Sequence, residues 1–436
     1  MMIVLTAAIL CLVIAAVSIK SEKSLVNPLM VFCTIWSIVL LFSSTASKLI
    51  SCSVETYTYI IMGIFAFVAG YLFRTKIFKK RFVISSKEMC ANRYEIEYVP
   101  RYQVLCLLML VCVLFYAKDC LLIVSRVGLL SLGNIQKMLQ SGELNFSRSS
   151  IENAIVILLV QPVAFAIPAV TAVDIWIGER NRKLFALTII MLALRMIATA
   201  NRTSIIMFFL FIVVAGCISL NQNWSIIEKI ASRVRKYKRL IMRVLILAIV
   251  LFVFMTISRG ASVFTNVFLD FAIPPRMFEL WRESVDNQHL YGYGEASLMG
   301  FIFPVVYVTG NILKVFYPDN VRAIYELIEL TDTTWVWPGK NIQANAYVSV
   351  FWFLYTDFRV AGIVIGMFLY GCVAASLYSI TIKRKDAKHT CMYCILFYTL
   401  LYSFVRMQFS QSRIVLGLLF VCFFAYQKRT RIVMEG

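Results

Sequence analysis

Runs of about 20 mostly apolar residues recur along the whole chain, and this is the length that an α-helix needs to cross a membrane. Of the 436 residues, 61% are hydrophobic and only 15% are charged, whereas soluble proteins carry roughly a quarter charged residues. The sequence therefore predicts an all-α polytopic membrane protein with about eleven transmembrane helices. We predict these spans at residues 2–19, 28–44, 56–73, 103–124, 152–177, 184–200, 203–220, 241–258, 360–382, 390–405 and 411–427.

The predicted spans fall into two groups around one long polar stretch. Residues 1–258 hold eight spans, residues 259–346 form a large loop between spans eight and nine, and residues 347–436 hold the last three. Within the loop, residues 301–316 are apolar but short for a span. They form either a re-entrant or interfacial helix, or an additional pair of crossings together with residues 347–355. The second alternative raises the count to 13 spans and leaves the orientation of the flanking spans unchanged.

The net charge of +20 is concentrated in alternate loops. Six segments carry 27 of the 43 Lys and Arg residues but only 8 of the 23 Asp and Glu residues. Because Lys and Arg concentrate in cytoplasmic loops of membrane proteins, we place these segments in the cytoplasm. The N-terminus is then outside and the C-terminus inside, and the charge does not require a nucleic-acid partner. The six segments are residues 20–23, 74–101, 178–183, 224–243, 383–388 and 428–436.

Most of the twelve cysteines lie within the apolar runs, where they act as small apolar residues. The pair Cys391 and Cys394 has neither a second pair nor histidines at ligand spacing. The sequence therefore predicts no disulfide framework, no metal site and no cofactor.

Arginines lie near the predicted outer ends of several spans. Charges at membrane depth are costly and are usually functional, and arginine binds phosphate through paired hydrogen bonds while staying charged. A ring of arginines at the outer surface therefore favours a lipid-linked phosphate or diphosphate as ligand; the alternative is a set of separate structural ion pairs. The residues in question are Arg195, Arg202, Arg259, Arg359, Arg406 and Arg413.

Residues 259–346 are also rich in aromatic and amide side chains. The aromatic residues fit either an interfacial belt or stacking on sugars. Asn341, Gln343 and Asn345 offer hydrogen bonds to hydroxyl groups. Of the two histidines, only His289 is predicted to lie on the external side, which makes it a candidate base or simply a solvated surface residue.

The number of spans, the large late loop and the outer arginines resemble the O-antigen (Wzy-type) oligosaccharide repeat-unit polymerases. Local features also fit, namely Asn27-Pro28 at the start of span two, the run Tyr291–Glu295, and Asn345-Ala-Tyr347 followed by Tyr355-Thr-Asp357-Phe358. In these polymerases an Asn…Thr segment often precedes a Tyr-x-Asp-Phe-Gly element. Arg359 stands here where that glycine is usual.

The resemblance implies a bacterial inner-membrane enzyme that acts at the periplasmic face. A growing glycan on undecaprenyl diphosphate is transferred to an incoming lipid-linked repeat unit, and undecaprenyl diphosphate leaves without help from a metal. Membrane lipids, a chain-length regulator and a flippase of the same pathway are the expected partners. We expect the diphosphates to bind at Arg202, Arg259 and Arg276, with Arg282 and Arg406 as second choices. We expect the base among Asp270, Glu279, Glu283, His289 and Asp357.

Two other functions share parts of this pattern. An O-antigen ligase uses the same donor and transfers finished glycan to a lipid core. A lipid-linked oligosaccharide flippase or transporter catalyses no transfer, and it predicts short loops with a charged cavity at the middle of the membrane. The long loop 259–346 argues against the transporter, whereas the residues alone leave the ligase open.

Overall fold

The structure is a computed structural model that describes residues 2–85, 94–127, 138, 148–199, 203–221, 263–315 and 318–432. The predicted span 241–258 lies outside these residues. The helices are α1 (Met2–Glu22), α2 (Pro28–Thr45), α3 (Val54–Ser85), α4 (Tyr102–Val127), α5 (Ser150–Trp176), α6 (Arg182–Thr199), α7 (Thr203–Asn221), α8 (Val263–Ala272), α9 (Pro274–Asn287), α10 (Glu295–Tyr307), α11 (Asp319–Thr333), α12 (Ser349–Arg384), α13 (Ala387–Leu401) and α14 (Ser412–Phe423). The strands are β1 (Tyr94–Pro100), β2 (Val336–Gly339), β3 (Ile342–Ala344) and β4 (Tyr426–Ile432).

In the described part of the chain, seven helical segments are long and apolar enough to cross a membrane, namely α1 to α5, α12 and α10 together with the π-helical turn that extends it to Ile312. Their outward faces are apolar. On α4, for example, Leu107, Leu114 and Leu121 are 64%, 62% and 71% exposed and repeat every seven residues, which places them on one stripe of the helix. Such a stripe is stable against lipid. The helical, multi-pass membrane character predicted from the sequence is therefore confirmed.

Loops that the charge pattern assigns to one side of the membrane meet at one end of the helix bundle. β1 pairs antiparallel with β4, from Tyr94 opposite Ile432 to Pro100 opposite Tyr426. The Tyr102 hydroxyl donates a 2.6 Å hydrogen bond to Asp174, at the point where α5 gives way to the next loop. We call this end the ribbon end. The small ribbon was not predicted, and with the β2–β3 hairpin it qualifies the all-α description.

Helix α12 is a re-entrant hairpin rather than one continuous helix. Its backbone leaves helical geometry at Phe358 (φ −143°, ψ 30°) and Arg359 (φ 54°, ψ −141°). Phe351 and Ile363 both lie against Gly63, although twelve residues of straight helix would separate them by about 18 Å. The chain therefore reverses at residues 358–359. Of residues 347–355, considered above as part of an additional crossing, residues 349–355 form a short buried arm of this hairpin.

The second arm of α12, residues 360–384, is about 37 Å long at 1.5 Å per residue and runs from the hairpin turn to the ribbon end. We call the end at the turn the mouth end. The shorter helices α13 and α14 start or finish at the ribbon end and reach only about 22 and 18 Å. Residues 402–411, which join them, therefore lie inside the bundle below the mouth end.

Helix α10 lies across the mouth end. Asp357 in the hairpin turn accepts hydrogen bonds from the start of α10, and the π-helical turn Val308–Ile312 that follows it packs on Ser150–Ile155 at the start of α5. Because both ends of Glu295–Ile312 meet the same end of the bundle, this segment does not run along the length of the bundle. Together with α11 it forms a layer over the bundle.

The described parts of the predicted groups 1–258 and 347–436 pack into one bundle. α12 packs along α3, α13 on α2, α5 and α7, and α14 on α5. A Cβ atom at Gly70 or Gly371 would overlap the carbonyl oxygen of Phe368 or Phe67, so the α3 and α12 backbones are in direct contact. Small residues permit this close approach in membranes.

Candidate functional site

A cavity of about 400 Å³ lies between the α10–α11 layer and the bundle. Its walls come from α5, α10, α11, the irregular segment 402–411 and the start of α14. The residues that line it are Ile157, Gln161, Met299, Phe303, Tyr325, Ile328, Glu329, Asp332, Arg406, Ser410, Gln411, Ser412 and Arg413. One side is apolar and the other carries charged and hydroxyl groups, so the cavity matches a ligand that is itself amphipathic.

Arg406 is the most deeply held charged side chain in this cavity. Its side chain is 7% exposed, and its Nη2 atom forms an ion pair with the Oδ1 atom of Asp332 on α11. Asn345 fixes the same point of α11, because its side chain donates a 2.7 Å hydrogen bond to the Asp332 carbonyl oxygen. On the bundle side, the Ser349 backbone N–H donates a 3.0 Å hydrogen bond to the Val405 carbonyl.

The local backbone explains why an arginine is tolerated at this depth. Residues 402–411 contain two short 3₁₀ turns and no continuous helix. Non-helical backbone within a membrane is stable only where protein buries it or where it lines a cavity. The segment meets both conditions, since Ser403 and Gln408 are buried while Arg406, Ser410 and Gln411 line the cavity.

Two further arginines belong to this part of the bundle, since Arg413 lines the cavity and Arg195 lies near Arg413. The Arg413 Nε atom donates a 2.9 Å hydrogen bond to the Gln411 side chain. The charge of Arg413 in turn acts on Arg195 of α6, whose Nη1 atom donates a 3.0 Å hydrogen bond to the Ala164 carbonyl oxygen. In the cavity wall the carboxylates of Asp332 and Glu329 balance Arg406 and Arg413, and Arg195 adds a positive charge near Arg413.

This arrangement can bind an anion and move a proton. Arginine side chains form paired hydrogen bonds with phosphate oxygens and stabilise charge that develops on a leaving group. A carboxylate beside them can accept a proton from an attacking hydroxyl group. The apolar wall offers a place for the first part of a lipid chain. The cavity thus combines arginine and carboxylate groups with an apolar wall.

Comparison of the chain with protein-family models, with curated proteins and with solved structures found no match.

The structure places one predicted substrate-binding residue, Arg406, in the wall of this cavity, while another, Asn345, is bonded to the backbone of the lining residue Asp332. Sequence reasoning noted Arg413 but did not include Asp332, Glu329 or Gln161. A signal for Asp332 and Glu329 exists, because α11 is amphipathic and its polar residues recur at helical spacing. Nothing in the sequence indicates that this helix folds back over residues 402–411.

Arg276 and Glu279, predicted to bind diphosphate and to act as a base, form an ion pair with one another on α9. The Glu279 Oε1 atom also accepts a 3.0 Å hydrogen bond from the Ser53 backbone N–H. Burial favours the neutral acid, but the hydrogen bonds from Ser53 and Arg276 outweigh it and lower the pKa of Glu279. This carboxylate therefore ties α9 to the loop before α3.

Arg282 lies one turn further along α9, where its Nη2 atom is 3.1 Å from the Glu55 Oε2 atom of α3. Its guanidinium carbon lies 5.3 Å from the centroid of the Tyr59 ring. Burial opposes the charge, but the hydrogen bond to Glu55 prevails and raises the pKa of Arg282. Its Nε and Nη1 atoms are buried without a hydrogen-bond partner among the described residues.

Asp357, predicted as a catalytic base, caps the N-terminus of α10. Its Oδ1 and Oδ2 atoms accept hydrogen bonds of 2.8 and 3.0 Å from the backbone N–H groups of Ala296 and Ser297. A carboxylate stabilises the exposed N–H groups at a helix start. A Cβ atom at Gly292 would lie 2.5 Å from Asp357 Oδ1, so this close approach requires glycine.

The remaining predicted residues lie apart from the cavity or outside the described part of the chain. His289 (φ 52°) and Asn341 (φ 60°) are exposed and occupy turns, after α9 and between β2 and β3. Asp270 is half-buried on α8, and Glu283 is exposed on α9. Arg202 and Arg259 lie outside the described residues.

Proposed function

We propose that this protein is a membrane glycosyltransferase that joins undecaprenyl-diphosphate-linked oligosaccharide units into an O-antigen or similar surface polysaccharide. The observation that carries the proposal is the cavity in which Arg406, Arg413 and Asp332 lie beside an apolar wall. Such a site is complementary to both parts of a lipid diphosphate. The resemblance drawn from the sequence points to the same reaction.

The reaction requires few chemical groups from the protein. A hydroxyl group of the acceptor sugar attacks the anomeric carbon of the donor, the bond from that carbon to the diphosphate oxygen breaks, and undecaprenyl diphosphate leaves. The proton of the hydroxyl passes to a carboxylate. In this proposal Arg406 and Arg413 stabilise the leaving diphosphate, and Asp332 accepts the proton once phosphate has replaced it at Arg406.

The charge pattern supports the location. The loops that meet at the ribbon end are rich in Lys and Arg and are therefore proposed to be cytoplasmic. The mouth end then faces the periplasm of a bacterial inner membrane, with the N-terminus on that side and the C-terminus in the cytoplasm. The eleven-span topology, with α9–α11 as the periplasmic layer, is part of the same proposal.

The test is a reconstituted reaction. The full-length protein, purified in detergent, is incubated with undecaprenyl-diphosphate-linked repeat units without a second protein or an ion gradient, and the length of the products is measured. We expect products of several repeat units. A ligase leaves these units unjoined, and a flippase forms no new glycosidic bond, so unchanged substrate would overturn the proposal.

Two arginine variants give the reaction a matched control. Arg406→Ala removes the buried guanidinium, whereas Arg322→Ala removes one from the exposed face of α11, where Arg322 pairs with Glu326. We expect Arg406→Ala to abolish elongation and Arg322→Ala to elongate normally. Equal activities in the two variants, with equal yields of folded protein, would contradict the assignment of Arg406.

A further inference from the structure

A second polar and aromatic surface lies at the mouth end, where α11 begins, and the other end of α11 lines the cavity. Tyr291 and Tyr293 stack with ring centroids 5.9 Å apart, and they are 41% and 69% exposed. The guanidinium carbon of Arg359 lies 4.3 Å from the centroid of the Tyr291 ring. We call Tyr291, Tyr293, Tyr355, Asp286 and Arg359 the tyrosine platform.

The platform holds an oriented carboxylate beside its rings. Both oxygens of Asp286 lie 3.1 Å from the Tyr355 hydroxyl, and Oδ1 lies 3.5 Å from Arg359 Nη1. The Asp286 side chain nevertheless remains 42% exposed. It therefore has acceptor capacity that faces outward, next to the exposed faces of two aromatic rings.

The backbone at this surface is constrained as well. Arg359 adopts φ 54° and ψ −141°, a conformation that residues other than glycine rarely adopt. Strained residues concentrate at ligand-binding and catalytic positions. At this turn the Arg359 side chain lies between Tyr291 and Tyr355, whose ring centroids are 4.3 and 5.3 Å from its guanidinium carbon.

We infer that the tyrosine platform binds the oligosaccharide part of the lipid-linked substrate. One face of a sugar ring presents C–H groups that pack on an aromatic ring, while its hydroxyls donate hydrogen bonds to a carboxylate. An interfacial aromatic belt would place rings singly around the bundle against lipid. Here the rings are stacked on each other and on a guanidinium, beside an outward-facing carboxylate.

The position relative to the cavity fits a glycan attached to a diphosphate. The Asn320 side chain donates hydrogen bonds to the Tyr291 carbonyl oxygen (3.4 Å) and to Glu295 (2.5 Å), so α11 begins at the platform. From Asn320, α11 rises about 8 Å to Tyr325 and about 18 Å to Asp332, and both of these residues line the cavity. An oligosaccharide of a few sugars spans that distance. This inference rests on the proposed function for the identity of the ligand.

Binding of two probes to the full-length protein in nanodiscs tests the platform. The probes are undecaprenyl diphosphate and the same lipid bearing its oligosaccharide repeat unit. We expect the wild type to bind the glycosylated probe about tenfold more tightly, as two ring contacts allow. The double variant Tyr291→Ala, Tyr293→Ala should lose this difference while it binds undecaprenyl diphosphate normally, which also shows that it is folded.

Two controls complete the experiment. Tyr293→Phe keeps the ring and should retain the preference for the glycosylated probe. Trp337→Ala is the control for loss of an exposed ring outside the platform, since Trp337 lies in the β2–β3 hairpin and is 59% exposed. A double variant that still binds the glycosylated probe as the wild type does would overturn the inference and leave the polymerase proposal standing. A platform-dependent preference in a protein that makes no polymer would support the platform and refute the polymerase.

Discussion

The guanidinium carbon of Arg359 lies 4.3 Å from the centroid of the Tyr291 ring, although the backbone of Arg359 has a conformation that favours glycine. A cation over an aromatic face contributes about 0.5–2 kcal/mol, depending on its exposure. A residue held in such a backbone conformation costs of order 1–3 kcal/mol. The contacts of the side chain therefore offset the strain of the main chain at the turn of the α12 hairpin.

The strain at Arg359 leads to a direct test with two variants. Arg359→Ala and Arg359→Gly both lose the contacts with Tyr291 and Asp286, but only glycine is relaxed at φ 54°, ψ −141°. We expect the glycine variant to be the more stable of the two by about 1–2 kcal/mol, as measured by thermal unfolding in detergent. In an ordinary helix the order is reversed, because glycine is less stable than alanine there.

The hairpin itself was not predictable from the apolar pattern. Residues 349–355 and 360–382 are both apolar, and the polar break at residues 356–359 separates them without indicating that the chain reverses there. The resemblance suggested glycine as the usual residue at position 359, and glycine would have marked a turn. Because position 359 is arginine in this chain, the sequence lacks that indication of a turn. By contrast, the distribution of Lys and Arg grouped the loops that the structure brings together at the ribbon end.

A variant of Asp357 distinguishes a carboxylate that caps helix α10 from one that acts as a catalytic base. Asp357→Ala removes the acceptors for the Ala296 and Ser297 N–H groups and should destabilise the protein by about 1–2 kcal/mol. We expect a lower melting temperature, with elongation per folded molecule close to the wild type. A variant that melts normally but is inactive would instead identify Asp357 as catalytic.

The pKa of Glu279 predicts how stability depends on pH. The hydrogen bonds from Ser53 and Arg276 lower this pKa in the folded state despite burial, whereas the unfolded value is about 4.3. A lowered folded pKa adds stability above the unfolded value, and this stability is lost as the pH falls through the folded pKa. The melting temperature should therefore fall below about pH 4.3 more steeply in the wild type than in Glu279→Gln. If the melting temperatures of the two proteins fell with pH at the same rate, the lowered pKa of Glu279 would be contradicted.

The contact between α3 and α12 depends on glycine. A Cβ atom at Gly70 would overlap the Phe368 carbonyl oxygen, which belongs to the backbone and cannot rotate away. Gly70→Ala should separate the helices and cost about 1–3 kcal/mol, as other overpacked core positions do. Ala66→Gly provides the opposite change one turn away on α3. We expect the melting temperature to fall more for Gly70→Ala, and an equal fall would count against direct backbone contact.

The candidate site was only partly predictable because its two halves are far apart in the sequence. Arg406 was noted from its place at the predicted outer end of a span, where charge is costly. Asp332 lies 74 residues earlier, in a polar helix that resembles any solvated surface helix. Only the fold of α11 over residues 402–411 makes the two residues partners.

The ion pair between Arg406 and Asp332 predicts opposite effects on binding and turnover. In the proposed function Asp332 occupies Arg406 until phosphate replaces it, and it then accepts the proton of the acceptor hydroxyl. Asp332→Asn removes the competing charge, so undecaprenyl diphosphate should bind more tightly, by about tenfold if one charged pair is relieved. The same variant lacks the base and should elongate glycans more slowly, by about a hundredfold or more. Kinetic analysis of the reconstituted reaction then shows a lower KM with a lower kcat, while Glu326→Gln on the exposed face of α11 leaves both unchanged. A fall in kcat with a raised KM would indicate that Asp332 only holds Arg406 in place.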